Sequence, residues 1–176
     1  AWCKQGFSVS AEVPAPGRHR SQLSKGSQLA EGSQLAEGSG RPSGWNAGAV
    51  VSADEVLHNL EGLEFLLVDA RNRERYRGEQ EPIDPVAGHV PGAFNRPLQL
   101  NLQADGEFKS ASTLKQEWLQ LLGDRSAQQI VHMCGSGVTA CHNLLAMEHA
   151  GLVGSRVYAG SWSEWIRDPQ RPVATA

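Results

Sequence analysis

Hydrophobic residues follow no sustained period in the first 44 residues of the chain and become regular from Val50 onward. Beyond Val50, short continuous apolar runs alternate with segments whose apolar residues recur at helical spacing. Continuous runs of this length are typical of strands buried on both faces of a sheet. The pattern therefore predicts three buried strands, within FLLVDA (65–70), QIVHM (129–133) and SRVYAG (155–160). A further short strand is predicted inside the loop GHVPGAFNRP (88–97), which Gly and Pro punctuate.

The segments between these strands predict helices. In SADEVLHNLEG (52–62), Ser52 is followed three residues later by Glu55, a capping-box pattern that begins a helix. The segment SASTLKQEWLQLLG (110–123) repeats its apolar residues at helical spacing and ends at a glycine. Three more helical segments are predicted within RNRERYRG (71–78), TACHNLLAMEHAG (139–151) and SWSEWIRD (161–168).

Strands that alternate with helices predict an α/β fold, in which a central parallel sheet is flanked by helices on both faces. Ligands bind such sheets at the carboxyl ends of the strands. Cys134 follows one predicted strand and Asp69–Arg71 closes another. We therefore expect both strand ends to contribute to a single site.

The N-terminal 44 residues differ from the rest of the chain in composition. Residues 1–44 are rich in Gly, Ser, Pro and Gln, and the related hexapeptides SQLSKG, SQLAEG and SQLAEG follow one another from Ser21 to Gly38. A leucine every six residues is also found in hexapeptide β-helices, but three hexapeptides make only about one coil, with nothing to bury the leucines. The composition instead predicts a flexible linker over residues 17–49.

Composition and charge exclude several classes of function. The chain of 176 residues carries a formal charge of −3 without a dense Lys/Arg stripe, so binding to nucleic acid is not expected. A run of the roughly 20 apolar residues that span a bilayer is also missing from the sequence. The three cysteines are an odd, sparse set without zinc-ligand spacing. Free thiols favour a reducing compartment, here the cytoplasm.

The loop HMCGSGVTAC (132–141) is the strongest candidate for chemistry. The N-terminus of the helix that follows favours negative charge, and its unpaired N–H groups point at an anion. Gly135 and Gly137 let the backbone curl tightly with its N–H groups exposed, and Ser136 and Thr139 add hydroxyl donors. We therefore predict that Cys134 is a nucleophile whose thiolate, persulfide or bound oxyanion is held by this loop.

Two other interpretations apply to the cysteines. Most cysteines are small buried hydrophobes, and packing is the interpretation we give to Cys141 and to Cys3. Cysteine phosphatases share the strand–loop–helix layout, but they need an arginine after a five-residue spacer to bind phosphate. Here that position is Ala140, and neither arginine nor lysine occurs between Cys134 and Gly154. Phosphatase activity therefore stays a remote alternative.

Four segments together resemble the catalytic, C-terminal repeat of the two-repeat rhodanese-like sulfurtransferases. They are LVDARNRERYRG (67–78), GHVPGAFNRP (88–97), CGSGVTA (134–140) and VYAGSWSEW (157–165), in the family's order and at similar spacing. The resemblance implies a rhodanese-like fold and a ping-pong sulfurtransferase that needs neither a metal nor an organic cofactor. A small-molecule donor gives a sulfane sulfur to the cysteine, and the persulfide passes it to cyanide or to a thiol, with thioredoxin among the candidate acceptors.

The resemblance also assigns roles to individual residues. It implies that Cys134 accepts the sulfur and that the loop of Gly135, Ser136, Gly137, Val138 and Thr139 holds the persulfide. It matches Arg75 to the arginine that binds the anionic end of the donor. Arg71 is expected on the same helical face as a second donor-binding residue, with an ion pair to a local carboxylate as the alternative.

Other matched residues are expected to be structural. We expect Asp69 to cap the turn that follows it, and His89 to make structural hydrogen bonds. Trp162 and Trp165 are expected in the core.

The preferred donor is expected to be 3-mercaptopyruvate rather than thiosulfate. The CGSGVT form resembles members that prefer 3-mercaptopyruvate, whereas members that prefer thiosulfate tend to carry basic residues after the cysteine. Thiosulfate is a dianion that gains from a nearby cation, whereas the single carboxylate of mercaptopyruvate needs only one arginine. However, Ile83 stands in EPIDP where mercaptopyruvate enzymes often place a second arginine, so thiosulfate stays open as the donor.

The resemblance also predicts the domain organisation. Residues 1–16 resemble the end of a non-catalytic N-terminal repeat, 17–49 the linker, and 50–176 the catalytic domain. The rest of the N-terminal repeat, which completes the active site in two-repeat members, is not in this sequence. The alternative to an enzyme is therefore a persulfide-carrying or interaction module that does not turn over.

Overall fold

The computed structural model describes residues 48–176 of the chain. The predicted remnant of a first repeat (1–16), the hexapeptides (21–38), Cys3 and all but the last two residues of the predicted linker lie outside the described residues. The first strand begins at Val50, where the hydrophobic pattern becomes regular. None of the helices within 48–176 combines the length and the apolar character needed to cross a membrane.

Five parallel strands form one sheet in the order β1-β5-β4-β2-β3, which confirms the predicted parallel sheet. The middle strand, β4, is paired with β2 from Leu66↔Ile130 to Asp69↔Met133. The sheet consists of β1 (Val50–Val51), β2 (Leu66–Asp69), β3 (Phe94–Asn95), β4 (Ile130–Met133) and β5 (Arg156–Tyr158).

Residues 48–176 contain five α-helices and two 3₁₀ turns, of which the last α-helix follows the last strand and the others lie between strands. The α-helices are α1 (Ala53–Gly62), α2 (Arg73–Arg77), α3 (Ala111–Leu122), α4 (Val138–His149) and α5 (Ser161–Trp165). The capping box predicted for α1 is present, since Ser52 accepts from the backbone of Glu55 and the Glu55 side chain accepts from the Ser52 N–H. Short 3₁₀ turns at Leu98–Asn101 and Ala127–Gln129, and the two-residue strand β1, were not predicted.

Helices pack on both faces of the sheet, as predicted. Neighbouring residues of a strand point to opposite faces, so that Leu67 joins one core cluster and Val68 the other. The first cluster contains Val56 of α1 and the two tryptophans of α5, and the second contains residues of α3 and α4. Trp118 of α3 and Trp162 and Trp165 of α5 are fully buried, which confirms the core position predicted for Trp162 and Trp165.

The carboxyl ends of the two central strands meet at one edge of the sheet. Asp69 and Met133 are partners in the β2–β4 register, and the N–H of Ala70 donates to the carbonyl of Met133 at 2.8 Å. The residues that follow these strands therefore emerge side by side. This pairing brings Cys134 and the Asp69–Arg71 segment to the same edge of the sheet, as the expected single site requires.

Candidate active site

Cys134 lies directly after β4 and before α4, with 1% of its surface exposed. The N–H of Gly137 donates to its Sγ at 3.1 Å. The twelve-residue helix α4 begins at Val138 without a side-chain cap. A sulfur in this position receives a backbone N–H and faces the positive end of a helix, and both stabilise negative charge on it.

Gly137 is required by the close approach of this loop to β5. Its φ is +85°, and a Cβ at this position would lie 2.3 Å from the carbonyl oxygen of Ala159. A larger residue would therefore have to push the cysteine loop away from Ala159, the residue that follows β5. This is the physical reason for the second glycine of the predicted cradle.

The start of α5 fixes the backbone of the cysteine loop. The N–H of Cys134 donates to Ser161 Oγ at 3.1 Å, and that hydroxyl donates to the carbonyl of Tyr158 at 2.9 Å. The N–H groups of Trp162 and Ser163 donate to the carbonyls of Cys134 and Gly135 at 3.0 and 2.9 Å. The segment GSWSEW thus holds the nucleophile in place through its backbone.

A cavity of about 200 Å³ opens at the cysteine loop. Cys134 and three of the five predicted loop residues reach it, together with the predicted donor-binding arginine. Its lining consists of Arg75, Ile83, Asp84, Cys134, Gly135, Ser136, Thr139 and Ser163. The cavity has the size of a site for a small molecule and gathers groups from α2, the loop after it, the cysteine loop, α4 and α5.

Arg75 of α2 lies against the cysteine loop. Its two terminal nitrogens are each 3.4 Å from the position that a Cβ on Gly135 would occupy, so glycine leaves the room that the guanidinium fills. Nε donates to both carboxylate oxygens of Glu81, at 3.0 and 3.1 Å. Nη2 is 2.7 Å from Glu81 Oε1 and donates to Asp84 Oδ2 at 3.1 Å. Within residues 48–176 only Nη1 of the three nitrogens makes no hydrogen bond.

The prediction that Arg71 shares a helical face with Arg75 is wrong. Asn72 caps α2, so Arg71 precedes the helix. Arg71 is buried and pairs with Asp69 Oδ2 at 2.7 Å and with Glu81 Oε2 at 3.4 Å. It also donates to the carbonyl of Gly88 at 2.8 Å, and its guanidinium lies 4.7 Å from the ring centroid of Trp162. The structure thus gives Arg71 the ion pair that was the alternative interpretation.

Asp69 turns the chain but does not cap α2. Its Oδ1 accepts from the backbone N–H of Arg71 at 2.9 Å, while the helix cap is supplied by Asn72. His89 has the structural contacts predicted for it. Its Nδ1 lies 2.7 Å from the carbonyl oxygen of Tyr76, and its ring stacks on that tyrosine with centroids 3.9 Å apart.

The remaining predicted residues divide into two groups. Ser136 and Thr139 line the cavity, whereas Val138 is the first residue of α4 and is 74% exposed. Cys141 was predicted to be packed, and this is wrong, because it lies exposed on α4 with its Sγ 3.5 Å from the carbonyl oxygen of Gly137. Within the described residues, His, Cys, Asp and Glu side chains form no group of three or more that would hold a metal.

Sequence reasoning missed the carboxylates that hold Arg75. Glu81 is nearly fully buried, and although burial opposes its ionisation, hydrogen bonds from the Arg75 side chain and from the Asp84 and Ile83 backbone lower the pKa of Glu81. The sequence offered one indication of these ion pairs: the segment EPIDP carries two acids, Glu81 and Asp84, shortly after the arginine-rich segment RNRERYRG. Asp69, Arg71, Arg75, Glu81 and Asp84 are called the site network below.

Comparison with known proteins shows which family and which relatives the chain is similar to. A family model described as the rhodanese-like domain matches residues 52–168. The chain is 50% identical over 130 residues to a Pseudomonas aeruginosa protein named "Probable 3-mercaptopyruvate sulfurtransferase", a match that covers 74% of this chain and 46% of that protein. It is 35% identical over 169 residues to the thiosulfate sulfurtransferase of Rattus norvegicus, covering 94% of this chain and 50% of that protein. The chain spans about half the length of these curated relatives.

Solved structures show the same fold at lower identity. The Tum1 protein from Saccharomyces cerevisiae matches with a TM-score of 0.62 and 24% identity over 73% of this chain and 47% of that chain. Wild-type EanB matches with a TM-score of 0.64 and 22% identity over 73% of this chain and 32% of that chain. Because the family match runs from the cap of α1 to beyond α5 and takes in the whole cysteine site, the chain belongs to the rhodanese-like domain family.

Proposed function

We propose that this chain is a sulfurtransferase that moves a sulfane sulfur from 3-mercaptopyruvate or thiosulfate to a thiol or to cyanide through a persulfide on Cys134. One observation carries the proposal. The Sγ of Cys134 accepts a backbone N–H at 3.1 Å and lines a cavity of about 200 Å³ into which Arg75 brings a positive charge. A nucleophilic sulfur and an anion-binding group thus share a space large enough for a small donor.

The first half-reaction loads the cysteine. The Cys134 thiolate attacks the sulfur of 3-mercaptopyruvate, an S–S bond forms, and the carbon–sulfur bond breaks. Its electron pair leaves on the pyruvate enolate, which takes up the proton of the donor's thiol to give pyruvate and leaves the outer sulfur as a persulfide anion. With thiosulfate the same attack breaks the sulfur–sulfur bond and releases sulfite. In both cases the negative charge ends on the terminal persulfide sulfur, where the N–H groups of the loop stabilise it.

The second half-reaction transfers the outer sulfur from Cys134 to an acceptor. An acceptor thiolate attacks the outer sulfur and leaves as a persulfide, which restores the Cys134 thiolate. Cyanide leaves in the same way as thiocyanate, and thioredoxin is one candidate for a protein thiol acceptor. A compartment that keeps thiols reduced, as the cytoplasm does, suits this chemistry.

The charge of the cavity favours 3-mercaptopyruvate as the donor. Among the described residues that line it, Arg75 alone is positively charged, and it is already paired with two carboxylates. A single carboxylate is therefore a better match than a dianion. The relative from Pseudomonas aeruginosa bears the name of a mercaptopyruvate enzyme, which supports the same choice, while the rat relative bears that of a thiosulfate enzyme.

The test is intact mass after incubation with each donor. We expect wild-type protein to gain one sulfur atom from 3-mercaptopyruvate, to lose it to a thiol acceptor, and to release pyruvate repeatedly. Cys134→Ser should gain none at this position. Cys141→Ser is the matched control, because Cys141 is an exposed thiol on the same helix and should be dispensable.

The outcomes separate the alternatives. Sulfur gain without repeated turnover would favour a persulfide carrier that needs a second repeat. Failure of both donors to add sulfur at Cys134 would overturn the proposal. A phosphatase is not supported, because the loop from Cys134 to Gly154 contains neither arginine nor lysine.

A further inference from the structure

Asp84 joins the donor-binding arginine to the cysteine loop. Its Oδ2 accepts from Arg75 Nη2 at 3.1 Å, and its Oδ1 accepts from the Ser163 hydroxyl at 2.8 Å. The N–H of Ser163 in turn donates to the carbonyl of Gly135 at 2.9 Å. The Asp84 side chain is 9% exposed and lines the cavity. One carboxylate thus touches the anion-binding group and, through one serine, the backbone beside the nucleophile.

Asp84 also limits what Arg75 can bind. Glu81 takes up Nε and shares Nη2, and Asp84 takes the remaining bond to Nη2. Among the contacts of residues 48–176, Nη1 is left as the nitrogen able to donate to a molecule in the cavity. A guanidinium that offers two nitrogens binds an oxyanion in a two-bond fork, whereas a single nitrogen cannot.

The net charge of the site network also disfavours dianionic donors. In the site network two arginines face three carboxylates, which leaves one net negative charge. The Cys134 thiolate adds another when the nucleophile is active. A donor with two negative charges is therefore repelled more strongly than a donor with one.

We propose that Asp84 positions Arg75 with a single donor nitrogen toward the cavity and, by its charge, selects monoanionic donors over dianionic ones. This inference rests on the proposed sulfur transfer and adds to it the residue that sets donor choice. Glu81 does not have this role, because its carboxylate lies deeper, between both arginines. Asp84 is the member of the network that both lines the cavity and carries negative charge.

The decisive variant is Asp84→Asn, which removes the charge and keeps the size and one acceptor oxygen for Arg75. We expect the ratio of kcat/KM for thiosulfate to kcat/KM for 3-mercaptopyruvate to rise about 5- to 10-fold, as expected for loss of one charge at this range. Glu61→Gln is the matched control, because Glu61 is an exposed acid of α1 outside the cavity, and its ratio should equal that of wild type. A merely structural role for Asp84 would lower both values together and leave the ratio unchanged.

Two further measurements keep the test independent of how well that variant folds. Ser163→Ala keeps the Asp84 charge and removes its second anchor, so it should slow both donors alike without moving the ratio. In wild type, raising the ionic strength from about 0.01 M to about 1 M shortens the Debye length from about 30 Å to about 3 Å. The same ratio should then rise, because repulsion of the dianion is screened.

Each outcome has a distinct meaning. An unchanged ratio in Asp84→Asn, or a ratio that falls with salt in wild type, would overturn the role of Asp84 while leaving sulfur transfer intact. If wild type gains no sulfur at Cys134 from either donor, the proposed function fails and this inference fails with it.

Discussion

Two polar networks, one toward each face of the sheet, place an arginine over a buried tryptophan. In the site network, Arg71 lies 4.7 Å from the ring centroid of Trp162. On the other face, Arg96 lies 4.4 Å from that of Trp118 and donates to Glu117 at 2.9 Å. We call the second group the α3 network, formed by Arg96, Asn101, Lys109, Glu117 and Asn143.

The two networks differ in whether they place a hydrogen-bond donor at the cavity beside Cys134. The site network contains a second arginine, Arg75, whose Nη1 has no hydrogen-bond partner among the described residues and lies beside the cavity at Cys134. The α3 network connects β3, α3 and α4, and within residues 48–176 it does not reach that cavity. A buried charge network is therefore not in itself evidence of a site. Evidence of a site requires in addition a hydrogen-bond donor that faces a cavity beside a nucleophile.

The largest effect is expected from Arg75→Gln, which breaks the site network at the cavity. Loss of the charged donor should lower kcat/KM for 3-mercaptopyruvate about 100-fold, within the cost of removing one partner of a charged hydrogen bond. Sulfur loading followed by mass spectrometry measures it. Arg77→Gln is the control, since Arg77 belongs to the same helix but forms an exposed pair with Glu79. Equal losses in both variants would remove Arg75 from donor binding.

Arg96→Gln, which breaks the α3 network, is expected to lower stability and to leave sulfur loading unchanged. Removing this charge takes away one of the two cations that bind Glu117, which keeps Lys109, and also removes the packing of the guanidinium on Trp118, so it should lower the free energy of unfolding by about 2–3 kcal/mol. Sulfur loading per folded molecule should not change. Denaturant unfolding measures the first and mass spectrometry the second, with the exposed Lys115→Gln as control. A large loss of sulfur loading in folded Arg96→Gln would mean that the two networks are coupled.

His132 makes the α3 side sensitive to acid. It is fully buried on β4, its ring stands edge-on to Trp118, and neither ring nitrogen has a hydrogen-bond partner within residues 48–176. Burial, with the nearby charge of Arg96, lowers the pKa of His132 from 6.5 to about 3. Below pH 6.5 the unfolded chain therefore binds a proton that the folded chain does not, and stability falls as the pH drops toward 3.

We expect His132→Leu to remove this dependence. Each pH unit in that window contributes up to about 1.4 kcal/mol, so wild type should lose about 2 kcal/mol more than the variant between pH 6.5 and 5. Parallel unfolding curves at the two pH values measure the difference, and exposed His58→Gln should behave as wild type. Identical pH slopes for wild type and His132→Leu would contradict a buried neutral histidine.

The central strands and the position of Cys134 were predictable because they depend on local pattern. Buried parallel strands are continuously apolar, and a strand followed by a glycine-rich turn and a helix places its first loop residue at the sheet edge. The strand β1 was missed because it has two residues and its identity as a strand depends on pairing with β5. A sequence carries little local signal for such an edge pairing.

The errors at the site have a common cause in contacts between distant residues. Arg71 was assigned to α2 because four-residue spacing fits a helix, but Asn72 accepts from the N–H of Arg75 and starts the helix after it. Asp84 was missed because its partner Ser163 is 79 residues away. Cys141 was expected in the core because cysteines usually pack, yet α4 turns that position outward.

The smallest effect is expected at Ser161, which joins the cysteine loop to β5. Its φ is +53°, rare for a residue other than glycine, and its hydroxyl bridges the Cys134 N–H and the Tyr158 carbonyl. Ser161→Ala keeps the backbone restriction and leaves a buried donor unpaired, which should cost about 1–2 kcal/mol of unfolding free energy and slow sulfur loading a few-fold. Ser155→Ala is the matched control, because that buried hydroxyl has no partner within residues 48–176 and its loss should be nearly neutral. If both variants were equally stable and equally fast, the hydroxyl of Ser161 would not hold Cys134, and the backbone bonds from Trp162 and Ser163 alone would position the nucleophile.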